Sequence, residues 1–260
     1  MTDRVALRLA GGHLVMERPE APVRLLIFHH AAGSAMSFSG LARSLSRLSE
    51  PVLIELPGRG NRAREPHAKS FADAVSGLLP AVLSLIDRPV VVLGHSLGAL
   101  IAHSVLHEMT AEHRRRVRAV VVSAAKAPAT AAALATFPDG PFQARTRESL
   151  LADLDRFGGI PAGLLADPEV RDHAVTLLGH DLHLADTYRQ PPAGGGAVPY
   201  QFWFGSGDTS LSREEGARWA AGVGRPVPVQ EFEGGHFYLQ AGPAAGVALD
   251  TLIETEGSIG

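Results

Sequence analysis

Gly94-His95-Ser96-Leu97-Gly98 follows the apolar run Pro89 to Leu93 and opens a stretch patterned as a helix. A strand that turns at once into a helix holds its turn residue in a strained backbone conformation, and small flanking glycines keep neighbouring side chains clear. The pattern G-x-S-x-G also arises by chance. Here Val90-Val91-Val92-Leu93 before it and Leu97 to Met109 after it supply the strand and helix that the turn requires. This reading makes Ser96 a nucleophile whose hydroxyl projects into a cleft. The competing reading is a glycine-rich turn carrying an incidental serine.

Working outward, apolar runs recur at Leu25 to Phe28, Val52 to Leu56, Val117 to Val122, Tyr200 to Phe204 and Val227 to Phe232. Their continuous, β-branched character predicts parallel strands buried on both faces. Helix patterns lie between them at Phe71 to Ile86, Leu97 to His113, Arg213 to Ala221 and Pro243 to Glu254. The β-α-β-α order predicts right-handed crossovers and a mostly parallel central sheet flanked by helices, an α/β fold. The rhythm breaks between about residues 129 and 192, where Glu148 to Phe157 and Pro168 to Leu178 read as helices with no strand between them. That segment is expected to be an inserted helical lid over the cleft. Gln190 to Val198, with Pro191-Pro192 and Gly194-Gly195-Gly196, reads as the link back to the sheet.

Composition narrows the partners. A chain of 260 residues with 45% hydrophobic content suits one α/β domain over residues 1–260, with a sizeable core. The formal net charge of -3 supplies no broad basic field, so neither nucleic acid nor an anionic membrane is expected as partner. There are no cysteines, which excludes disulfides, thiolate nucleophiles and Cys-ligated metals. Met1-Thr2-Asp3-Arg4 and the charge at Arg8 interrupt any signal-peptide core, and no apolar run is long enough to span a bilayer. A soluble, cytoplasmic, monomeric protein is the expectation.

A serine hydroxyl needs a base to take its proton, and the base needs a third group to fix its tautomer. Asp208, in Gly205-Ser206-Gly207-Asp208, follows the strand Tyr200 to Phe204, and His236, in Glu233-Gly234-Gly235-His236-Phe237, follows the next one. Loops at strand ends are where open sheets gather functional side chains. The chain order Ser, Asp, His is that of the α/β-hydrolase fold. Singly, such an Asp is a turn former and a lone His is structural; together with the serine turn they form a catalytic constellation. Asp139 and Asp181, in the helical segment, are weaker rivals for the acid. Two backbone N–H groups should face the developing oxyanion. Leu97 supplies one, and Ala31 of the small-residue loop His29-His30-Ala31-Ala32-Gly33-Ser34 supplies the other.

Other clusters carry weaker signals. His103 and His107 are four apart and His180 and His183 three apart, but there is no H-E-x-x-H and no third ligand, so no metal is expected. Arg114-Arg115-Arg116 with Arg118 reads first as a solvated helix end complementing the dipole, and second as a docking patch for an acidic partner.

With these residues in place, the chain resembles the type II thioesterases that accompany polyketide synthases and nonribosomal peptide synthetases. Phe28-His29-His30-Ala31-Ala32-Gly33-Ser34-Ala35 is similar to the family's H-A-G-G-S-A loop. Leu56-Pro57-Gly58-Arg59-Gly60-Asn61-Arg62, continuing to Glu65-Pro66, is similar to its P-G-R-x-x-R-x-x-E-P segment. Gly158-Gly159-Ile160-Pro161 and Asp181 to Tyr188 resemble its lid, and Gly234-Gly235-His236-Phe237-Tyr238-Leu239 its G-G-H-F-x-L ending. The resemblance implies Ser96 as nucleophile, His236 as base, Asp208 as orienting acid, Ala31 and Leu97 as oxyanion donors, and no cofactor. It further implies hydrolysis of acyl groups from the phosphopantetheine arm of an acyl or peptidyl carrier protein, with His30, Arg59 and His95 as candidates near the pantetheine or substrate; the alternative for Arg59 is a tie between neighbouring carbonyls and carboxylates. An esterase, a product-releasing thioesterase and a non-catalytic binding protein stand as alternatives. Ala32 stands where the family usually has glycine, Lys126-Ala127-Pro128 lacks the usual arginine pair, and Gly179-His180-Asp181 replaces a typical Arg-Ala-Asp.

Overall fold

The computed structural model describes residues 6–136, 142, 144–160, 162–192 and 197–257. Asp139, Pro161, Gly194-Gly195-Gly196 and the first five residues lie outside them. In chain order the elements are β1 (Leu7–Ala10), β2 (His13–Met16), β3 (Val23–Phe28), α1 (Ser39–Ser44), β4 (Ser49–Ile54), α2 (Phe71–Ser84), β5 (Val90–His95), α3 (Leu97–Glu108) and α4 (Ala111–Arg115). They continue as β6 (Val117–Ser123), α5 (Pro128–Leu134), α6 (Arg147–Phe157), α7 (Ala162–Leu165), α8 (Pro168–Asp186), β7 (Tyr200–Gly205), α9 (Glu214–Val223), β8 (Val229–Phe232) and α10 (Ala244–Gly257).

Among the described residues one eight-stranded sheet runs in the order β1-β2-β4-β3-β5-β6-β7-β8. From β4 to β8 neighbouring strands are parallel, as the apolar runs predict. Every residue of β3, β4 and β5 is buried, and the two-residue period of a strand divides them between two cores. Leu26, Phe28, Val92 and Val120 face α2, α3 and α9. Leu25, Ile27, Val91 and Val121 face α1 and α10. At the far end of the sheet a charged pair closes the register. Arg24 of β3 lies opposite Glu50 of β4, donates to its Oε2 at 2.6 Å, and also bonds Asp87 and the carbonyl of Leu85. A buried guanidinium is tolerated because its donors are met on several sides.

Three findings differ from the sequence expectations. An antiparallel pair, β1 and β2, precedes the parallel strands and joins the sheet through β4. The single helix expected over Leu97 to His113 is two, because Thr110 accepts from the His113 N–H and caps a new start after α3. The helix read as Pro168 to Leu178 runs on to Asp186.

The insertion between β6 and β7 contains α5 to α8. Helices α6 and α8 build a small core of their own from Leu150, Leu154, Val175 and Leu178, and it reaches the main body at Ala32.

Helix α3, buried from Leu97 to Leu106, lies unusually close to the sheet. A Cβ on Gly98 would stand 2.4 Å from the Phe28 carbonyl oxygen, and one on Gly94 2.5 Å from Ala99 Cα. Both obstacles are backbone and cannot step aside. Gly98→Ala is expected to lower stability by about 1–3 kcal/mol in a urea titration; an unchanged midpoint would refute the close contact. Beyond β4, burial pushes the Glu55 carboxyl up to about 7, against the opposing Ala35 N–H bond and the charges of Arg59 and Arg62. A raised carboxyl contributes stability below its ordinary value, and that contribution is lost as pH rises through about 7. Glu55→Gln is therefore expected to reduce the fall of the thermal midpoint between about pH 5 and pH 8.

Candidate active site

The strand ends converge on one cavity of about 310 Å3 whose walls include Ser96, Leu97, Ala31, His30 and His236. Among the described residues three non-glycines have positive φ: Ala32 at 60°, Ser96 at 55° and Ala124 at 48°. They follow β3, β5 and β6, all at the C-terminal edge of the sheet. Each such conformation costs on the order of 1–2 kcal/mol for a residue with a Cβ, and strain of this kind gathers at functional sites.

Ser96 is the residue between β5 and α3, with φ 55° and ψ -122°. Its N–H is tied to the carbonyl of Ser123 at 2.8 Å, while its own carbonyl accepts from Ala99 at 3.0 Å. The residue thus sits at the positive end of α3, where the first-turn N–H groups have no partner within the helix. Leu97, the first helical residue, shares the cavity wall with it.

Asp208 and His236 come from the loops after β7 and β8. Those loops are bonded to each other: Ser206 N–H donates to Phe232 O and Gly207 N–H to Gly234 O, both at 2.8 Å. The approach requires glycine, since a Cβ on Gly205 would stand 2.3 Å from Gly235 O. His236 Nδ1 and Asp208 Oδ2 are 2.6 Å apart. A carboxylate accepts, so Nδ1 carries the proton and Nε2 is left as the basic nitrogen. The other Asp208 oxygen accepts from Ser210 N–H at 2.9 Å and Ser210 Oγ at 2.6 Å. Burial pushes the Asp208 carboxyl up, but the bonds from His236 and Ser210 outweigh it and the net direction is down.

The loop after β3 is held just as closely. His29 Nδ1–H and Gly33 N–H donate to His30 O at 2.7 and 3.1 Å, and His30 Nδ1–H donates to Ala31 O at 2.9 Å. Burial lowers the imidazole of His30 to about 4, so it is a neutral wall of the cavity.

Two residues expected near the substrate lie elsewhere. Arg59 is only 2% exposed, and its guanidinium grips Asp181 through two bonds of 2.6 Å and Gly33 O through one of 3.1 Å. It braces the loop from behind and is not placed to meet a phosphate. His95 is fully buried beneath the serine, bonded to Ser123 Oγ at 2.9 Å, which in turn meets Tyr238 OH at 2.6 Å. Asp181, the described rival for the acid, is committed to Arg59 and to Ala32 N–H, whereas Asp208 is the carboxylate bonded to His236. No sequence signal marked Asp181 and Arg59 as partners, because 122 positions separate them.

The remaining clusters have structural partners. His103 Nδ1 meets Tyr200 OH, His107 Nδ1–H donates to His103 O, and His180 stacks on His67 at 3.8 Å. Arg114 donates to the carbonyls of Leu106, His107 and Met109, as a cation at a helix end should. Among the described residues no group of three or more His, Cys, Asp or Glu is placed to hold a metal ion, and no helix is long and apolar enough to cross a membrane.

A family model described as a thioesterase domain matches residues 23–255. The chain is 30% identical over 217 residues to the probable cadicidin biosynthesis thioesterase of Streptomyces griseus, across 84% of this chain and 58% of that one. It is 28% identical over 222 residues to thioesterase PikA5 of Streptomyces venezuelae, across 85% of this chain and 77% of that one. It spans less than two thirds of the first relative's length. Among solved structures, the type II thioesterase BorB from the borrelidin biosynthetic cluster superposes with a TM-score of 0.74 at 25% identity, covering 92% of this chain and 97% of that one. The sheet order, the flanking helices and this superposition are those of an α/β-hydrolase fold. With a match that runs from the first residue of β3 into the last helix, the chain belongs to the thioesterase domain family.

Proposed function

We propose that the protein hydrolyses thioesters, releasing acyl groups from the phosphopantetheine arm of carrier proteins of a polyketide or nonribosomal peptide synthase. The observation that carries this reading is the Asp208–His236 pair opening onto the cavity that also holds the strained Ser96. Its relatives include a probable cadicidin biosynthesis thioesterase and PikA5, which supports the choice of thioester over ester.

In the proposed reaction His236 Nε2 takes the proton of Ser96 as Oγ attacks the thioester carbonyl. The N–H groups of Ala31 and Leu97 hold the oxyanion. Collapse breaks the C–S bond, and the pantetheine sulfur leaves with the proton held by His236. Water then attacks the acyl-Ser96 ester, giving a proton to His236, and the carboxylic acid departs as Ser96 regains its own. Asp208 keeps Nδ1 protonated and stabilises the imidazolium throughout.

The cavity volume, about 310 Å3, lies at the low end of ligand pockets and fits a short acyl group. Leu154, Leu178 and Leu182 of the insertion and Leu100 of α3 make it apolar. In this reading the insertion is a lid that excludes water while the acyl chain is bound.

Acyl release from a phosphopantetheinylated carrier, followed by intact mass, is expected to fall to background in Ser96→Ala; release at the wild-type rate would reject the nucleophile. Fast turnover of p-nitrophenyl esters without carrier unloading would replace the carrier reading by an esterase. Asp208→Asn leaves the geometry but favours the wrong tautomer, so kcat is expected to drop about 10³–10⁴-fold while the thermal midpoint stays close to wild type. A loss below tenfold would assign the acid elsewhere.

A further inference from the structure

The oxyanion loop is not held by the sheet alone. We infer that Asp181, on helix α8 of the insertion, is a positioning residue that fixes the loop carrying the Ala31 oxyanion donor and so links the insertion to the chemistry of Ser96. The inference rests on the proposed function.

Asp181 is fully buried, and both its oxygens are spent on this task. Oδ1 accepts from Arg59 Nη2 at 2.6 Å. Oδ2 accepts from Arg59 Nη1 at 2.6 Å and from Ala32 N–H at 2.8 Å. Arg59 Nη1 then donates to Gly33 O at 3.1 Å. The ion pair therefore grips the loop at two points, an N–H at Ala32 and a carbonyl at Gly33.

What lies between those grips is the proposed oxyanion donor's support. The peptide joining Ala31 to Ala32 is held on both sides, its carbonyl by His30 Nδ1–H and its N–H by Asp181. The preceding peptide carries the Ala31 N–H, and its carbonyl is held by Gly33 N–H and His29 Nδ1–H. Its direction consequently depends on where Gly33 is kept. Ala32 has φ 60° with a Cβ in place, a conformation that an unrestrained loop would leave. The carboxylate supplies the restraint that holds it. Ala32 also packs into the core shared by α6 and α8, so loop and insertion meet through both an ion pair and an apolar contact.

Removing one member of a buried pair strands the other charge, so Asp181→Ala can fail by unfolding. The decisive variants are therefore Arg59→Met with Asp181→Leu, which removes both charges, and Arg59→Met with Asp181→Asn, which also strands no charge and retains an oxygen for Ala32 N–H. Each is melted to establish that it folds. The readouts are kcat and KM on acyl carrier and the second-order rate of Ser96 labelling by a fluorophosphonate, whose attack uses the same oxyanion site without needing the carrier. In Arg59→Met with Asp181→Leu both kcat and the labelling rate are expected to fall about 100-fold, the scale of losing one oxyanion donor, with KM changed less than about threefold. Arg59→Met with Asp181→Asn is expected to recover at least about tenfold of that loss. Folded Arg59→Met with Asp181→Leu showing wild-type labelling, or a loss confined to KM, would overturn the assignment of Asp181 alone. Wild-type protein that resists labelling at Ser96 would instead overturn the underlying reading of the site.

Discussion

The first turn of α3 lies almost against the backbone of the sheet, and the geometry of the cavity follows from that approach. Gly94 and Gly98 make it possible, since a Cβ at either position would meet main-chain atoms at 2.5 and 2.4 Å. With α3 that close, the chain passes from β5 into the helix through the positive-φ conformation of Ser96. The first residue of the helix, Leu97, then lies in the cavity wall. Strain of this sort survives only when its surroundings over-determine it. All three left-handed non-glycines meet that condition, for the N–H of Ala32 is bonded to Asp181, that of Ser96 to Ser123 O and that of Ala124 to Trp203 O.

Much of this was legible because the signals are local. The parallel strands announce themselves as continuous apolar runs, and residues 94 to 98 with their flanks specify strand, turn and helix in one stretch. The loops after β7 and β8 are marked by glycines and by single Asp and His residues. Other parts carry no such mark. Strand β1 is short and mostly exposed, so Leu7-Arg8-Leu9-Ala10 lacks the apolar continuity of its neighbours. The break before α4 contains neither glycine nor proline and is set by the Thr110 side chain. The end of α8 holds His180, Asp181 and Asp186, which are buried or half-buried against distant partners that no local pattern announces.

Those partners decide between readings that the charged residues left open. An arginine in a glycine-rich loop suits either a phosphate or a brace between neighbouring carbonyls and carboxylates, and Arg59 is the brace. Its partner is a carboxylate from another part of the chain, and the pair is fully buried. Asp186 is likewise bonded to Arg145, 41 positions away. Periodicity shows which face of a helix is apolar; it cannot show which ions will meet once the chain has closed.

The imidazoles around Ser96 have one more consequence. His95 lies between His30 and His236, with ring centroids 5.9 and 5.3 Å away. Burial, helped by the repulsion of the neighbouring rings, lowers His95 well below the ordinary histidine value, while His30 stands at about 4. Both of these inner rings are therefore neutral near pH 7. In the proposed mechanism the two inner rings are spectators, and their neutrality keeps them from repelling an imidazolium at His236. Two of the three neighbouring imidazoles thus serve the site as uncharged packing.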